Sequence, residues 1–271
     1  TNEQKTKHIL SKIYELTHIK RLFLPRNLAC MSDSIVIIPT YNEIENIESI
    51  IKAVLSLSKD FHVLIVDDNS PDGTNQKVKQ LQELYPTQLF LEIRNKKSGL
   101  GTAYVHGFKW ALQHNYDYVF EMDADFSHNP NDLLKLYEAC HNHASDVAIG
   151  SRYLTGVNVV NWPLNRVLLS YFASVYVRKI TGMSIRDATA GFMCYKKEVL
   201  QGIDLNKIKF IGYAFQIEMK YRAYAKGYKI TEVPIIFTDR SQGQSKMSGS
   251  IIKEAVLGVI SLRIKKLLNR L

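Results

Sequence analysis

Three observations predict an α/β fold from residue 34 onward, with a mostly parallel central sheet and helices on both faces. Short β-rich runs alternate with helical stretches long enough to cross back over a sheet. The β-rich runs are continuously apolar rather than alternating, as expected of strands buried on both sides. Charged and polar residues collect directly after several of these runs, at the edge where parallel sheets gather ligands.

The elements follow in order. "SIVIIPT" (34–40) is a strand, and residues 43–57 form a helix with Ile47, Ile50, Ile51 and Val54 on one side. "FHVLIV" (61–66) is a second strand, followed by the turn "DDNSPDG" and a helix to about Tyr85. "LFLEI" (89–93), a helix over 102–114, "DYVFEM" (117–122), a helix over 131–143 and "DVAIGS" (146–151) complete the alternation. Beyond residue 160 lie an aromatic-rich helix to about 181, a strand over 228–240, and "SQGQSKMSGS" (241–250), which reads as a mobile loop. A final helix carries Leu257, Ile260 and Ile264 among Arg263, Lys265, Lys266 and Arg270.

Composition bounds function only broadly. The formal charge of +9 over 271 residues suits an anionic partner without choosing among nucleic acid, a nucleotide and a membrane surface. Cys30, Cys140 and Cys194 are odd in number and widely spaced, so a reducing compartment is expected and no disulfide or zinc framework follows. No signal peptide is expected in residues 1–30, and no apolar run reaches the roughly 18–20 residues that span a bilayer. A soluble or peripheral protein is therefore expected. Met31 stands just before the first strand, so 1–30 is expected to be an extension, 31–250 the catalytic domain and 251–271 an amphipathic basic helix.

The candidate chemistry lies at the strand ends. In "YVFEMDADFSHNP" (118–130), Asp123 and Asp125 sit one residue apart where a buried strand stops. Such a pair suits a divalent cation, Mg²⁺ or Mn²⁺, bridging to a diphosphate. Two solvated acids capping the next helix are the plainer alternative. "PTYNE" offers the Tyr41 ring for stacking on a base and Glu43 for hydrogen bonding, and Asp67 or Asp68 a carboxylate for base N–H groups. "KKSGLGTAYVHG" (96–107) matches neither dinucleotide nor Walker signatures; Gly99 and Gly101 are read as packing a helix against the sheet. His128, His141 and His143 lack a third partner at metal-ligand spacing and are taken as ordinary surface or helix-end residues. Arg166 and Ser170, four apart, share one helix face.

Taken in order, PTYNE, VDDNSPDGT, LGTAYVHG, MDADFSH, SRY and DR-x-x-G-x-S-K resemble family 2 glycosyltransferases of GT-A fold, in particular the polyprenol (dolichol) phosphate mannose synthases. The resemblance covers about residues 34–260. It implies that Pro39, Tyr41, Glu43, Val66 and Asp68 line a nucleotide pocket, and that Asp123, Ala124 and Asp125 face the diphosphate, the two acids binding Mg²⁺ or Mn²⁺. Arg152, Arg240 and Lys246 would neutralise phosphates, the last two from a closing loop, and Arg166 and Ser170 would hold the acceptor phosphate. Asp125, Arg152, Arg240 and Lys246 carry the catalytic role in this scheme. Ser127 stands where some relatives have a glutamine ligand, and no counterpart of the membrane-spanning tail of others is expected.

The implied reaction moves mannose from GDP-mannose to a polyprenyl phosphate with inversion, on the cytoplasmic face of a membrane and without nucleic acid. A phosphate nucleophile is already anionic and needs no general base. The rivals are another donor such as UDP-glucose, a glycan hydroxyl acceptor with Asp187 or Glu218 as base, and a non-catalytic nucleotide-sugar-binding subunit.

Overall fold

The structure, a computed structural model, describes residues 32–212, 214–239 and 249–268, without the side chains of 249–255. Its elements are β1 (Ser34–Thr40), α1 (Ile47–Leu55), β2 (His62–Asp67), α2 (Thr74–Leu84), β3 (Leu89–Ile93), α3 (Leu100–Gln113), β4 (Tyr118–Glu121) and α4 (Asp132–His141). There follow β5 (Val147–Ser151), β6 (Val159–Val160), α5 (Leu164–Thr181), β7 (Met193–Lys196), α6 (Lys197–Gly202), α7 (Ala214–Ala225), β8 (Ile230–Pro234), β9 (Phe237–Thr238) and α8 (Gly249–Leu267). The main sheet runs β3-β2-β1-β4-β7-β5-β8, all parallel except β7, which pairs antiparallel with both β4 and β5. β6 and β9 make a separate parallel pair.

Strand periodicity sorts the core. Ile35 and Ile37 of β1, with Leu64 and Val66 of β2, face α3, α5, α7 and α8. Val36, Ile38, Val63 and Ile65 face α1, α2 and α4. Each branched side chain buried this way contributes roughly 1.5–3 kcal/mol. The first helix begins later than its apolar pattern suggests: Glu43 O accepts from Asn46 N and Ile47 N, and the chain before Ile47 is a turn. The expected strand over 228–240 is two short ones, β8 and β9, which belong to different sheets.

α7 is the least expected element. Residues 214–223 are all buried, Glu218, Lys220 and Arg222 included. Glu218 accepts Nε and Nη2 of Arg222 at 2.9 and 2.7 Å, and also the backbone N–H groups of Lys209 and Phe210. Gly99 and Gly101 do pack closely, but against the 210–215 segment rather than the sheet as expected; the glycine of α3 that lies on the sheet is Gly107, whose Cβ would come 2.7 Å from Ile37 Cγ2. A Cβ on Gly101 would lie 2.6 Å from Phe210 O and 2.8 Å from Phe215 Cβ, while Gly99 has φ +98°. Among the described residues, no helix is long and apolar enough to cross a membrane.

Candidate active site

Because β1, β2, β4 and β5 run parallel, their carboxyl ends share one edge, with β1 and β2 in register from Ile35–His62 to Thr40–Asp67. Pro39 pairs with Val66 there, although the Val66 side chain itself belongs to the core. Asp67 holds the β2 turn together, accepting Thr40 Oγ1 (2.8 Å), Ser70 N (2.8 Å), Ser70 Oγ (2.6 Å) and Asn75 Nδ2 (3.2 Å). Asp68, one residue on, is held by Arg94, whose Nε lies 2.6 Å from Oδ1. Arg94 is tied in turn to Thr102 of α3 at 2.8 Å. The Tyr41 ring has the Lys97 ammonium 4.2 Å from its centroid, and Glu43 stands at the entrance to α1 beside Asn46.

A second group converges on a cavity of about 390 Å³. Asp123, Asp125, Arg152, Arg166 and Ser170 all line it, so the chain brings together residues from the ends of β4 and β5 and from α5. Ala124 points into the core between the two acids. Asp125 Oδ1 accepts Ser127 N at 3.1 Å, which fixes the turn after β4. Tyr41 and Asp68 are outside this lining set; they flank it along the same sheet edge, across the β1–β4 pairing.

His128 is no surface residue. It is 3% exposed, its ring is stacked on Phe192 at 4.8 Å, and it lines the cavity beside the acids. Burial pushes its imidazole down to about 4 against the opposing pull of Asp125, so it is neutral at neutral pH. His141 and His143 are exposed, as expected.

Arg152 is 7% exposed and bound to Asp187 by two parallel bonds, Nε to Oδ2 and Nη2 to Oδ1, each 2.7 Å. Burial works to raise the Asp187 carboxyl, but Arg152 holds it below its ordinary value. Asp187 thus balances the charge of Arg152, while Trp162 and Phe237 rings flank it at 5.3 and 5.6 Å. Both carboxylates considered as a base are ion-paired, Asp187 with Arg152 and Glu218 with Arg222. Arg166 pairs with Asp239 at 2.9 Å and lies 4.1 Å from the Trp162 ring. Arg240 and Lys246, with the loop that carries them, lie outside the described residues.

The far wall of the cavity is apolar: Leu169, Phe172 and Val177 of α5 face Val256 and Val259 of α8. Tyr176 Oη bonds to Val256 O at 2.9 Å, and Arg263 Nη1 reaches Thr181 O at 3.3 Å, joining the two helices. One enclosure thus has an acidic and basic end and a greasy end.

Several cavity-lining residues carry buried polar atoms with no hydrogen-bond partner: Ser127 Oγ, His128 Nδ1, Trp162 Nε1 and Gln216 Oε1. Such atoms mark a site that completes its bonding with a ligand or solvent. Two carboxylates with a neighbouring hydroxyl are hard oxygen donors that fit Mg²⁺ or Mn²⁺. Among the described residues no three acidic, His or Cys side chains form a metal cage. Sequence inspection missed Gln216 as part of the site and took Asp187 only as a possible base, not as the partner of Arg152. Nothing in their spacing links them to it: Asp187 lies shortly before β7, which pairs with both β4 and β5, and Gln216 reaches Glu121 of β4 from α7.

The comparisons agree with this architecture. The sequence profile described as "Glycosyl transferase family 2" matches residues 35–203. Polyprenol monophosphomannose synthase of Mycolicibacterium smegmatis is 45% identical over 237 residues, covering 88% of this chain and 89% of that protein. Undecaprenyl-phosphate mannosyltransferase of Micrococcus luteus is 43% identical, covering 83% of this chain and 91% of that protein. Dolichol-phosphate mannosyltransferase of Pyrococcus furiosus is 40% identical over 81% of this chain, which spans only 60% of that longer relative. Glucosyl-3-phosphoglycerate synthase of Mycobacterium tuberculosis, solved with Mn²⁺, UDP-glucose and phosphoglyceric acid, superposes with a TM-score of 0.64 at 15% identity, covering 87% of this chain and 80% of that one, and so shares the fold. With a GT-A sheet whose acids and arginines meet at the carboxyl edge, this chain belongs to glycosyl transferase family 2 and is a glycosyltransferase.

Proposed function

We propose that the protein transfers mannose from GDP-mannose to a polyprenyl phosphate, with inversion and with a divalent metal, while resting on the cytoplasmic face of a membrane. The observation that carries this is the two-ended cavity. Asp123 and Asp125 stand at the end suited to a diphosphate, and the α5 and α8 side chains at the end suited to a lipid. The names of the relatives at 40–45% identity supply the mannosyl and polyprenyl terms.

In this mechanism Asp123 and Asp125 would hold the cation, and Pro39, Tyr41, Glu43 and Asp68, with the backbone at Val66, form the nucleotide side. A divalent cation held there would supply Lewis-acid charge for the diphosphate. Arg166 and Ser170 bind the acceptor phosphate, which competes with Asp239 for the Arg166 guanidinium. A phosphate oxygen forms a bond to the anomeric carbon as the bond from that carbon to the diphosphate oxygen breaks, and the electron pair departs on the diphosphate. Because the nucleophile arrives as an anion, the protein contributes chiefly alignment and charge balance. Arg152, balanced by Asp187, presents fixed N–H donors rather than net charge, leaving Arg240 and Lys246 to oppose the phosphates.

Peripheral attachment is supported by the surface beside the cavity. Leu164, Phe172, Leu257 and Leu267 are each more than 60% exposed on α5 and α8. Lys265 and Lys266 lie in the last turn of α8. The direct test incubates the protein with Mn²⁺ or Mg²⁺, polyprenyl phosphate and a panel of nucleotide sugars, then identifies the lipid product by mass. A mannosyl-phosphate lipid made from GDP-mannose is expected; a product made only from a UDP-sugar contradicts the donor assignment.

A further inference from the structure

Behind the acidic pair lies a buried polar cluster that has no part in the mechanism so far. Glu121, the last residue of β4 and two before Asp123, is completely buried. One of its oxygens accepts Nε2 of Gln216, from α7. Gln216 is 2% exposed and lines the cavity together with Asp123, Asp125, Ala190 and Gly191. One turn further along α7, Lys220 donates to Ala190 O at 2.5 Å and to Gln216 O at 3.3 Å. It thereby fastens the 187–191 loop, which also carries the Arg152 partner Asp187, to the helix that bears Gln216.

The consequence is a side-chain amide fixed at one end and unsatisfied at the other. Glu121 takes one polar atom of the Gln216 amide, and the second has no hydrogen-bond partner. Leaving an amide atom buried and unpaired is unfavourable, and a ligand group able to bond it would recover that cost. Its position narrows the ligand. In a nucleotide sugar the sugar is joined directly to the diphosphate, and Gln216 is anchored to the strand whose end presents Asp123 and Asp125. The Leu169, Phe172, Val256 and Val259 side chains of the far wall have no polar atom to offer a sugar ring; Gln216 does. The neighbouring cavity residues Ala190 and Gly191 are small, so space for a ring beside the amide is preserved.

We infer that Gln216, held by Glu121 and Lys220, bonds a hydroxyl of the transferred sugar and so helps select the donor; this rests on the transferase assignment above. A hydroxyl both donates and accepts, so it satisfies whichever amide atom Glu121 leaves over. Lys220 and Glu121 are positioning residues in this scheme, acting through Gln216 and the 187–191 loop.

The test is a cycle between protein and substrate. Wild-type enzyme and Gln216→Met are assayed for kcat/KM with GDP-mannose and with its 2-, 3-, 4- and 6-deoxy analogues, using polyprenyl phosphate as acceptor. With wild type, one deoxy analogue is expected to lose about 10- to 100-fold. Gln216→Met should lose a similar factor on GDP-mannose and little more on that same analogue, whereas the other analogues remain additive. GDP affinity should be unchanged, a readout that a collapsed site would move. Additive losses at every hydroxyl position overturn the inference and leave Gln216 a structural residue. Should Gln216→Met not fold, the wild-type series still decides: equal turnover of all four analogues excludes a hydroxyl contact of this strength. Parallel assays with UDP-sugars keep the two claims apart. Transfer only from one of those sugars would overturn the GDP-mannose assignment, and the same cycle on its deoxy analogues would then judge Gln216.

Discussion

Replacing Asp187 by alanine isolates one buried charge pair and tests how the site is held together. Asp187 is fully buried and accepts three bonds from Arg152: Nε and Nη2 at 2.7 Å and the backbone N–H at 2.9 Å. Its removal leaves the buried guanidinium without its carboxylate, a change that costs about 3–5 kcal/mol. For a chain of this size each kcal/mol lowers Tm by about 2–4 °C, so a fall of roughly 6–20 °C is expected in a thermal melt followed by circular dichroism. Replacing both partners, as Arg152→Met with Asp187→Leu, should restore much of that loss, because the desolvated charge is removed along with its partner. The acid limb gives an independent check. The folded Asp187 carboxyl titrates below its ordinary 3.8, so its stabilisation is complete above that pH and is lost as acid takes the protein below it. An Asp187→Ala protein that melts within 2 °C of wild type, a margin of about 1 kcal/mol or less, would refute the buried-pair account.

Other perturbations are smaller in scope. Gly101→Ala drives a methyl to 2.6 Å from the Phe210 carbonyl, and should lower stability by about 1–3 kcal/mol in urea unfolding; an unchanged midpoint would mean that the 210–215 segment yields. Arg166→Ala should raise the acceptor KM by about 10- to 100-fold with the donor KM nearly constant, and equal effects on both would take Arg166 out of the acceptor site. Phe172→Glu with Leu257→Glu should cut flotation with anionic vesicles by about ten-fold or more, since each apolar side chain otherwise adds roughly 1.5–3 kcal/mol. Undiminished flotation would place the membrane contact elsewhere.

Much of the first half of the molecule was legible in its sequence, for a physical reason. β1, β2, β4 and β5 are continuous apolar runs that end in polar residues, and parallel sheets collect those ends at one edge. The later elements gave weaker signals. β7 is four residues, "MCYK", running directly into α6, and its antiparallel pairing leaves no mark on the local pattern. α7 hides Glu218, Lys220 and Arg222 in its interior, where Glu218 and Arg222 pair with each other and distant carbonyls accept from Lys220 and Arg222, an arrangement the local sequence does not reveal. The acids at 123 and 125 and the arginine at 152 were visible as candidates. What Arg152 is bonded to was not, because Asp187 is 35 residues away and meets it only through the sheet. His128 looked like a surface residue until its ring was found stacked on Phe192.

Mn²⁺-dependent GDP binding, measured by calorimetry on wild type and Asp125→Ala, bears most directly on the acidic pair as the seat of a metal–diphosphate. Wild type should bind GDP much more tightly with Mn²⁺ present, and the variant should lose at least about ten-fold of that enhancement with an unchanged melting curve. The same metal-dependent gain in both proteins would contradict the account.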